Sequence, residues 1–238
     1  MHILIPMSGR GSRFATQGYD KPKPLIRFHG RTMIDNVLTN LGTQNTFTLC
    51  VLRDHYDSEP NMFEGLRDRV AGLNIVFVDQ VTRGAAETCL LAREFINTDE
   101  TLMIANCDQM MVWNQDEFTH WFEQSKLDGC MFTFWKDDPA YSYVEVDSDG
   151  IAIRTAEKQV ISNHATTGIY IWARGGDFIR AAESMIEKDL RVNSEFYVCP
   201  VYNENITWGA KIGIYEPREH WPIGTPEDLR YYLERHPG

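Results

Sequence analysis

No stretch of the sequence approaches the ~18 consecutive apolar residues of a membrane-spanning helix, so none is expected. The apolar opening from Met1 to Met7 lacks the leading positive region and the length of a secretory signal, and it runs at once into Arg10 and Arg13. The expected location is the cytoplasm. No pair of cysteines stands at CxxC spacing, and the five present (Cys50, Cys89, Cys107, Cys130 and Cys199) are an odd number. They read as reduced thiols filling small core positions rather than a disulfide frame or a zinc site. None of the seven histidines sits in an HExxH or other tight pair, which argues against a His-rich metal centre. Repeats, low-complexity tracts and Gly/Pro/Ser-rich linkers are also missing, so one domain over residues 1–238 is expected. Positive charge is the scarcer sign, with 23 Lys and Arg against 34 Asp and Glu and a net charge of −11. Nucleic acid and anionic membrane are poor partners for such a chain.

What is present is apolar material for a core, at 43% of residues, and an uneven charge distribution. Residues 1–35 hold six basic residues (Arg10, Arg13, Lys21, Lys23, Arg27 and Arg31) against Asp20 and Asp35, a local charge of +4 that leaves −15 for the remainder. A basic segment around the first Gly-rich loop of an acidic protein suggests a local anion site.

Short buried-strand patterns (3–7, 47–52, 74–78 and 101–105) alternate with helical spacing at 33–41, 59–70 and 84–95. Such alternation implies right-handed crossovers and a mostly parallel sheet with helices on both faces. After residue 110 strands outnumber helices (131–135, 143–146, 151–154 and 167–172), which predicts antiparallel additions. Helices are expected again at 177–188 and 226–234. The fold class is therefore α/β, with a mixed sheet flanked by helices. The change of rhythm near residue 110 divides the domain into halves 1–110 and 111–238.

The run Met7-Ser8-Gly9-Arg10-Gly11-Ser12-Arg13-Phe14 follows the first strand. Glycines at 9 and 11 let the backbone approach a ligand and aim N–H groups at phosphate oxygens. The dinucleotide fingerprint would need Gly where Phe14 stands, and the Walker pattern GxxxxGK[ST] is absent. Arg13 offers bidentate phosphate contacts. Lys21-Pro22-Lys23-Pro24-Leu25 sets Lys23 between two prolines, and an extended, stiff segment is expected there.

Strand, Gly-x-Gly-Ser-Arg and Lys-Pro-Leu together resemble the signature of the sugar-1-phosphate nucleotidylyltransferases, whose fold is a Rossmann-like, GT-A-like sheet. The resemblance continues through Gln80 and Gly84 (base recognition), Asn106-Cys107-Asp108 (a metal-binding acid at a strand end), Glu157-Lys158 (acceptor and its phosphate), Thr167-Gly168-Ile169-Tyr170, and Ile223-Gly224-Thr225-Pro226-Glu227. It implies catalytic roles for Arg13, Lys23 and Asp108, with Asp108 holding Mg²⁺. It implies nucleotide binding by the first half, with contacts from Met7, Ser8, Gly9, Gly11, Ser12, Gln80 and Gly84, and acceptor binding by the second, with contacts from Glu157, Lys158, Gly168 and Glu195. Two positions depart from the pattern. Pro222 stands where the family commonly has a second metal-binding Asp, and Ser142 stands where hexose-specific members usually have Gly. The second departure, with the Met7–Phe14 run, brings the chain nearer a capsule-associated, cytidylyltransferase-like branch.

The resemblance thus implies Mg²⁺-dependent transfer from an NTP, CTP favoured, to a small phosphorylated acceptor for surface polysaccharide precursors. A hexose-1-phosphate enzyme using UTP, GTP or dTTP, and an inactive nucleotide-binding regulatory subunit, stand as alternatives. A homodimer is allowed by the aromatic content. A glycosyltransferase is disfavoured, because Asn106-Cys107-Asp108-Gln109-Met110 carries one carboxylate in place of Asp-x-Asp.

Overall fold

The computed structural model describes residues 1–237. Its strands are β1 (His2–Met7), β2 (Arg27–Phe28), β3 (Arg31–Thr32), β4 (Thr46–Leu52), β5 (Asn74–Val78), β6 (Leu102–Ala105) and β7 (Gln109–Val112), followed by β8 (Gly129–Trp135), β9 (Ser142–Val146), β10 (Ala152–Glu157), β11 (His164–Trp172), β12 (Ile212–Tyr215) and β13 (Glu219–Pro222). Nine of them form one sheet in the order β10-β9-β11-β6-β1-β4-β5, with β8 paired to β11 and β12 paired to β8. The others make two ribbons, β13-β7 and β2-β3. Pairing is parallel through β6-β1-β4-β5 and between β12 and β8, whereas β11 runs antiparallel to β6, β8 and β9. This is the mixed, helix-flanked α/β sheet expected from the sequence.

Strand β1 shows why its residues are almost all apolar. Ile3, Ile5 and Met7 enter one core cluster with Val37, Leu38, Phe63 and Phe118, while Leu4 enters a second with Ala86, Cys89, Phe178 and Tyr202. A parallel strand covered on both faces has no wet side on which to place a polar residue. The helices are punctuated by their caps. Thr32 accepts the Asp35 N–H ahead of the Met33–Leu41 helix, Asn114 accepts those of Asp116 and Glu117 ahead of Gln115–Ser125, and Thr225 accepts that of Asp228 ahead of Pro226–Arg235. Asp108 caps no helix; Asn114 fills that role.

The helix expected over 84–95 is two pieces, Ala85–Leu90 and Arg93–Ile96. The N–H groups of Leu91 and Ala92 bond three residues back, to Thr88 and Cys89. That tightening keeps Ala92 and Ile96 in the core and turns Leu91 to solvent. All five cysteines are free and buried. No helix among the described residues is long and apolar enough to cross a membrane.

The sheet is interrupted along β11. The carboxyl half of β11 pairs with β6 as far as Ile169 opposite Ala105, and its amino half meets β9 at Ala165 opposite Tyr143. Between them the β11-β8 register shifts, at Thr166 to Tyr170, and Gly168 takes a φ of +88°. The sheet parts there, at the carboxyl end of β6, where ligands enter open α/β sheets.

Candidate active site

The segment Asn106 to Asp108 leaves β6 into this opening and is held from both sides. The Asn106 N–H donates to the Gly168 carbonyl at 3.0 Å, and a Cβ on Gly168 would lie 2.3 Å from Asn106 Nδ2. The Ile223 N–H donates to the Asp108 carbonyl at 2.9 Å, and a Cβ on Gly224 would come within 2.7 Å of Asp108 Oδ2. Gly168 is required by its left-handed φ of +88°, whereas a side chain at Gly224 would displace the Asp108 carboxylate itself. Asp108 then accepts a hydrogen bond from Lys23 Nζ at 2.7 Å across a sequence separation of 85 residues.

Lys23 does not lie on an extended segment. It opens a short 3₁₀ turn, Lys23–Leu25, closed by hydrogen bonds from the Leu25 N–H to the Pro22 carbonyl and from the Ile26 N–H to the Lys23 carbonyl. Two such bonds outweigh the conformational bias that Pro24 places on its predecessor. Gly11, at φ +63°, packs against this turn so closely that a Cβ would lie 2.8 Å from Lys23 Cβ. The Gly-rich loop therefore sets the lysine's position. Burial works against the ammonium, but the adjacent Asp108 carboxylate wins and raises the Lys23 pKa, so the side chain stays charged. Arg13 is exposed beside Lys23 and enters none of the ion pairs among the described residues, whereas Arg10 is held by Asp54.

The remaining residues expected to contact a nucleotide divide into anchors and exposed groups. Met7 is a core side chain, 2% exposed, so only its backbone could touch a ligand. Ser8 is buried and its hydroxyl lies 3.1 Å from that of Thr88, which also pairs with Thr82 at 2.6 Å. Those three hydroxyls tie the first loop to the Gly84 loop. Gly9 has open space around it, and Ser12 and Gln80 are exposed.

The residues expected to contact an acceptor form a second group. Glu157 is 9% exposed and accepts the Ser142 hydroxyl. Burial pushes its pKa up against the pull of Ser142 and Lys158. Lys158, at a φ of +54°, turns the opposite way and donates to the Tyr197 hydroxyl at 2.6 Å while lying 4.7 Å from the ring centroid. Glu195 is exposed and raises the pKa of Glu157, Lys158 and Tyr197 by its charge, which places it in the same group. Ser194 caps no helix; it and Asn193 form a left-handed turn between Val192 and Glu195. Tyr141 links the two halves. Its carbonyl accepts the Lys158 N–H at 3.0 Å, and its phenol is pushed up to about 12 by burial and then by the charges of Asp228, Asp138 and Asp108.

Tyr141 thus connects the Lys23–Asp108 pair with the group formed by Glu157, Lys158, Glu195 and Tyr197. Tyr197 belongs to the same group, and an aromatic two residues after Glu195 is the signal the sequence offers. Gly168 supports Asn106 rather than facing outward.

Whether Mg²⁺ suits these residues can be tested on the donor set. Pro222 lies opposite Gln109 in the β7-β13 ribbon, next to Asp108, and offers no ligand. No group of three or more His, Cys, Asp or Glu among the described residues could hold a metal. A lone carboxylate is too little for zinc. It fits Mg²⁺, which keeps waters and takes most of its remaining ligands from substrate phosphates.

His220, on the same ribbon, packs on Phe134 with ring centroids 4.6 Å apart. Burial drops its pKa to about 4 despite the charge of Asp108. The folded pKa lies below the ordinary 6.5, so the unfolded chain takes up the proton first as pH falls. The stabilising share is complete above pH 6.5 and lost by pH 4, about 3 kcal/mol in all. Urea midpoints between pH 4.5 and 7.5 should therefore fall less steeply for His220→Phe than for the wild type. Equal slopes would show that His220 is not held neutral.

The nucleotidyl transferase family model matches residues 3–205. Mannose-1-phosphate guanyltransferase of Yarrowia lipolytica is 27% identical over 179 residues, 72% of this chain and 49% of that protein, so the chain spans about half the length of this curated relative. Among solved structures, a nucleoside-diphosphate-sugar pyrophosphorylase from Vibrio cholerae RC9 superposes with a TM-score of 0.83 at 25% identity, covering 98% of this chain and 99% of that one. The inositol-1-phosphate CTP transferase from T. maritima shares the fold, with a TM-score of 0.76 at 16% identity over 98% and 93% of the two chains. The chain belongs to the nucleotidyl transferase family.

Proposed function

We propose that this protein transfers a nucleotidyl group from an NTP to a small phosphorylated acceptor, with release of pyrophosphate. The observation that carries this reading is the Lys23–Asp108 pair at 2.7 Å, packed against Gly11 of the first loop, with Lys158 tied by its N–H to Tyr141, whose phenol feels the Asp108 charge. An acceptor phosphate oxygen attacks the α-phosphorus in line and pyrophosphate leaves, a reaction that needs placement and charge neutralisation more than covalent chemistry. Mg²⁺, held by Asp108, phosphate oxygens and water, would neutralise triphosphate charge. Arg13 meets the leaving pyrophosphate, Lys23 the α-phosphate, and Lys158 fixes the acceptor phosphate against its own repulsion. The backbone of the Gly9–Gly11 loop cradles the triphosphate. CTP is the favoured nucleotide, and supply of surface polysaccharide precursors the favoured role, on the sequence resemblance of Met7–Phe14 and Ser142.

The test is pyrophosphate release with each of CTP, UTP, GTP, ATP and dTTP against sugar 1-phosphates, phosphocholine and phosphorylated amides. One NTP with one acceptor should turn over. Lys158→Ala should then raise the KM for that acceptor by about tenfold or more while calorimetric NTP affinity stays unchanged, since it removes one charge-assisted contact. Tight NTP binding with no release from any pair would favour a regulatory subunit instead.

A further inference from the structure

Six basic residues crowd the first 35, and the reaction proposed above uses only Arg13 and Lys23. Two more are held by carboxylates: Arg10 by Asp54, and Lys21 by Glu59 at 2.8 Å. Arg27 and Arg31 enter none of the ion pairs among the described residues, and Arg31 donates to the Thr39 hydroxyl at 3.0 Å. Both stand on the β2-β3 ribbon and line a groove of about 510 Å³ whose far wall is the Pro60–Arg69 helix. We propose that this groove is a second anion site, which takes a small phosphate monoester and is coupled to the position of Lys23.

Charge, room and connection carry the inference. Arg69, from the helix, lines the groove and binds Asp35 at 2.8 Å, while Lys21 closes on Glu59 at the rim. Arg27, Arg31, Arg69 and Lys21 thus meet two carboxylates, Asp35 and Glu59, an excess of two positive charges in a protein whose net charge is −11. A phosphate monoester carries about −1.5 to −2 at neutral pH, and guanidinium forks match its oxygens. Gly65 supplies the room. It lies inside a helix of ten residues, where only proline is a poorer choice. A Cβ there would meet nothing within 4 Å, so no packing contact demands the glycine. The missing side chain instead keeps the groove open beside the half-buried Met62, an apolar wall for the organic part of an ester. The volume falls within the range of small-molecule sites, about 300–1,000 Å³, and exceeds what a bare oxyanion fills. The Lys23–Leu25 turn hangs between Lys21 at the rim and Arg27 in the wall, each two residues from it. A dianion bound by Arg27 and Arg31 competes with Glu59 for Lys21, and so acts on both ends of the turn that carries Lys23.

The experiment is calorimetric titration of the whole chain with inorganic phosphate and, separately, with glycerol phosphate, at constant ionic strength. The wild type should bind two anions per chain, one at the Gly9–Gly11 loop and one in the groove. Arg27→Gln combined with Arg31→Gln should weaken one of them by about tenfold or more, with thermal melts and phosphate-free NTP affinity unchanged. Arg13→Gln combined with Lys23→Met should remove the other and leave the groove's. Glycerol phosphate should bind the groove more tightly than inorganic phosphate; the reverse order would overturn the monoester. Glycerol phosphate should also change NTP affinity differently in the wild type and in the Arg27, Arg31 double variant, by about fivefold or more, because competition at the first loop is common to both. An equal effect in the two proteins would overturn the coupling. A single bound anion that disappears with Arg13 and Lys23 and ignores Arg27 and Arg31 would overturn the site itself. Every readout is of binding, so a chain inactive with every NTP and acceptor would remove the transfer reading and leave this test standing.

Discussion

Asp108→Asn should lower kcat by on the order of 10²–10³ while leaving the fold intact. The asparagine is nearly isosteric, so it clears Gly224 as Asp108 does, and its side-chain oxygen still accepts from Lys23 Nζ. What it removes is the negative charge, and with it the one carboxylate at this strand end. Asp108→Ala is the less clean variant. It leaves the half-buried Lys23 ammonium without its partner, and breaking such a pair destabilises more than the pair itself contributed. The comparison therefore separates chemistry from folding. The asparagine variant should melt within a few degrees of the wild type and the alanine variant lower, both with depressed turnover. Lys23→Met should cost a similar factor, and the double variant little more than either alone, because in the proposed reaction the two side chains act on the same phosphate charge. Pyrophosphate release under saturating substrates, paired with thermal melts, is the measurement. Asp108→Asn retaining more than about a tenth of wild-type kcat would remove Asp108 from the reaction.

The parallel half of the sheet is legible in the sequence because burial on both faces leaves no choice of residue. Ile3, Leu4 and Ile5 each enter a core cluster, and a run of that kind is visible without any partner. The Gly11 and Gly84 positions are legible for a related reason: their φ values of +63° and +143° lie where other residues are strained. The β7-β13 ribbon is not. Its strands are four residues each, β13 ends in Pro222, and neither shows an alternation long enough to register. The pairing of Lys23 with Asp108 is equally invisible, since nothing local relates residues 85 apart.

Turns tightened by tertiary contact escape as well. The Lys-Pro segment reads as extended from its prolines, whereas its own backbone hydrogen bonds and its packing against Gly11 hold it in a 3₁₀ turn. Ser142 stands out in the sequence as a serine where the resembling family usually has glycine. Its hydrogen bond to Glu157 follows from the β9-β10 register, which depends on the Asp147–Gly150 turn and on the bulge between Ala152 and Arg154. Register is set by whole strands, so a single motif does not disclose it.

Gly84→Ala should lose both substrates at once, and the reason lies in a backbone crossing. Gly84 sits at φ +143°, and a Cβ there would lie 2.4 Å from both the N and O atoms of Phe196. The two loops are stitched at that point by hydrogen bonds from the Phe196 N–H to the Arg83 carbonyl at 2.8 Å and from the Ala86 N–H to the Phe196 carbonyl at 3.0 Å. One loop carries Gln80 and leads into the helix whose Thr88 anchors Ser8; the other carries Glu195 and Tyr197. No flexible side-chain end can yield here, because the clash is with main chain, so the added methyl must separate the loops. Strain at φ and overpacking together should cost about 2–5 kcal/mol. For a chain of this size that is a fall in Tm of roughly 5–15 °C. Separation of the loops should raise KM for the NTP and for the acceptor together, unlike Lys158→Ala, which acts on the acceptor alone. Thermal melts and both KM values, measured on the same preparation, decide the matter. A Gly84→Ala protein with wild-type Tm and only one KM altered would mean that the Gly84 and Phe196 loops are not mechanically one unit.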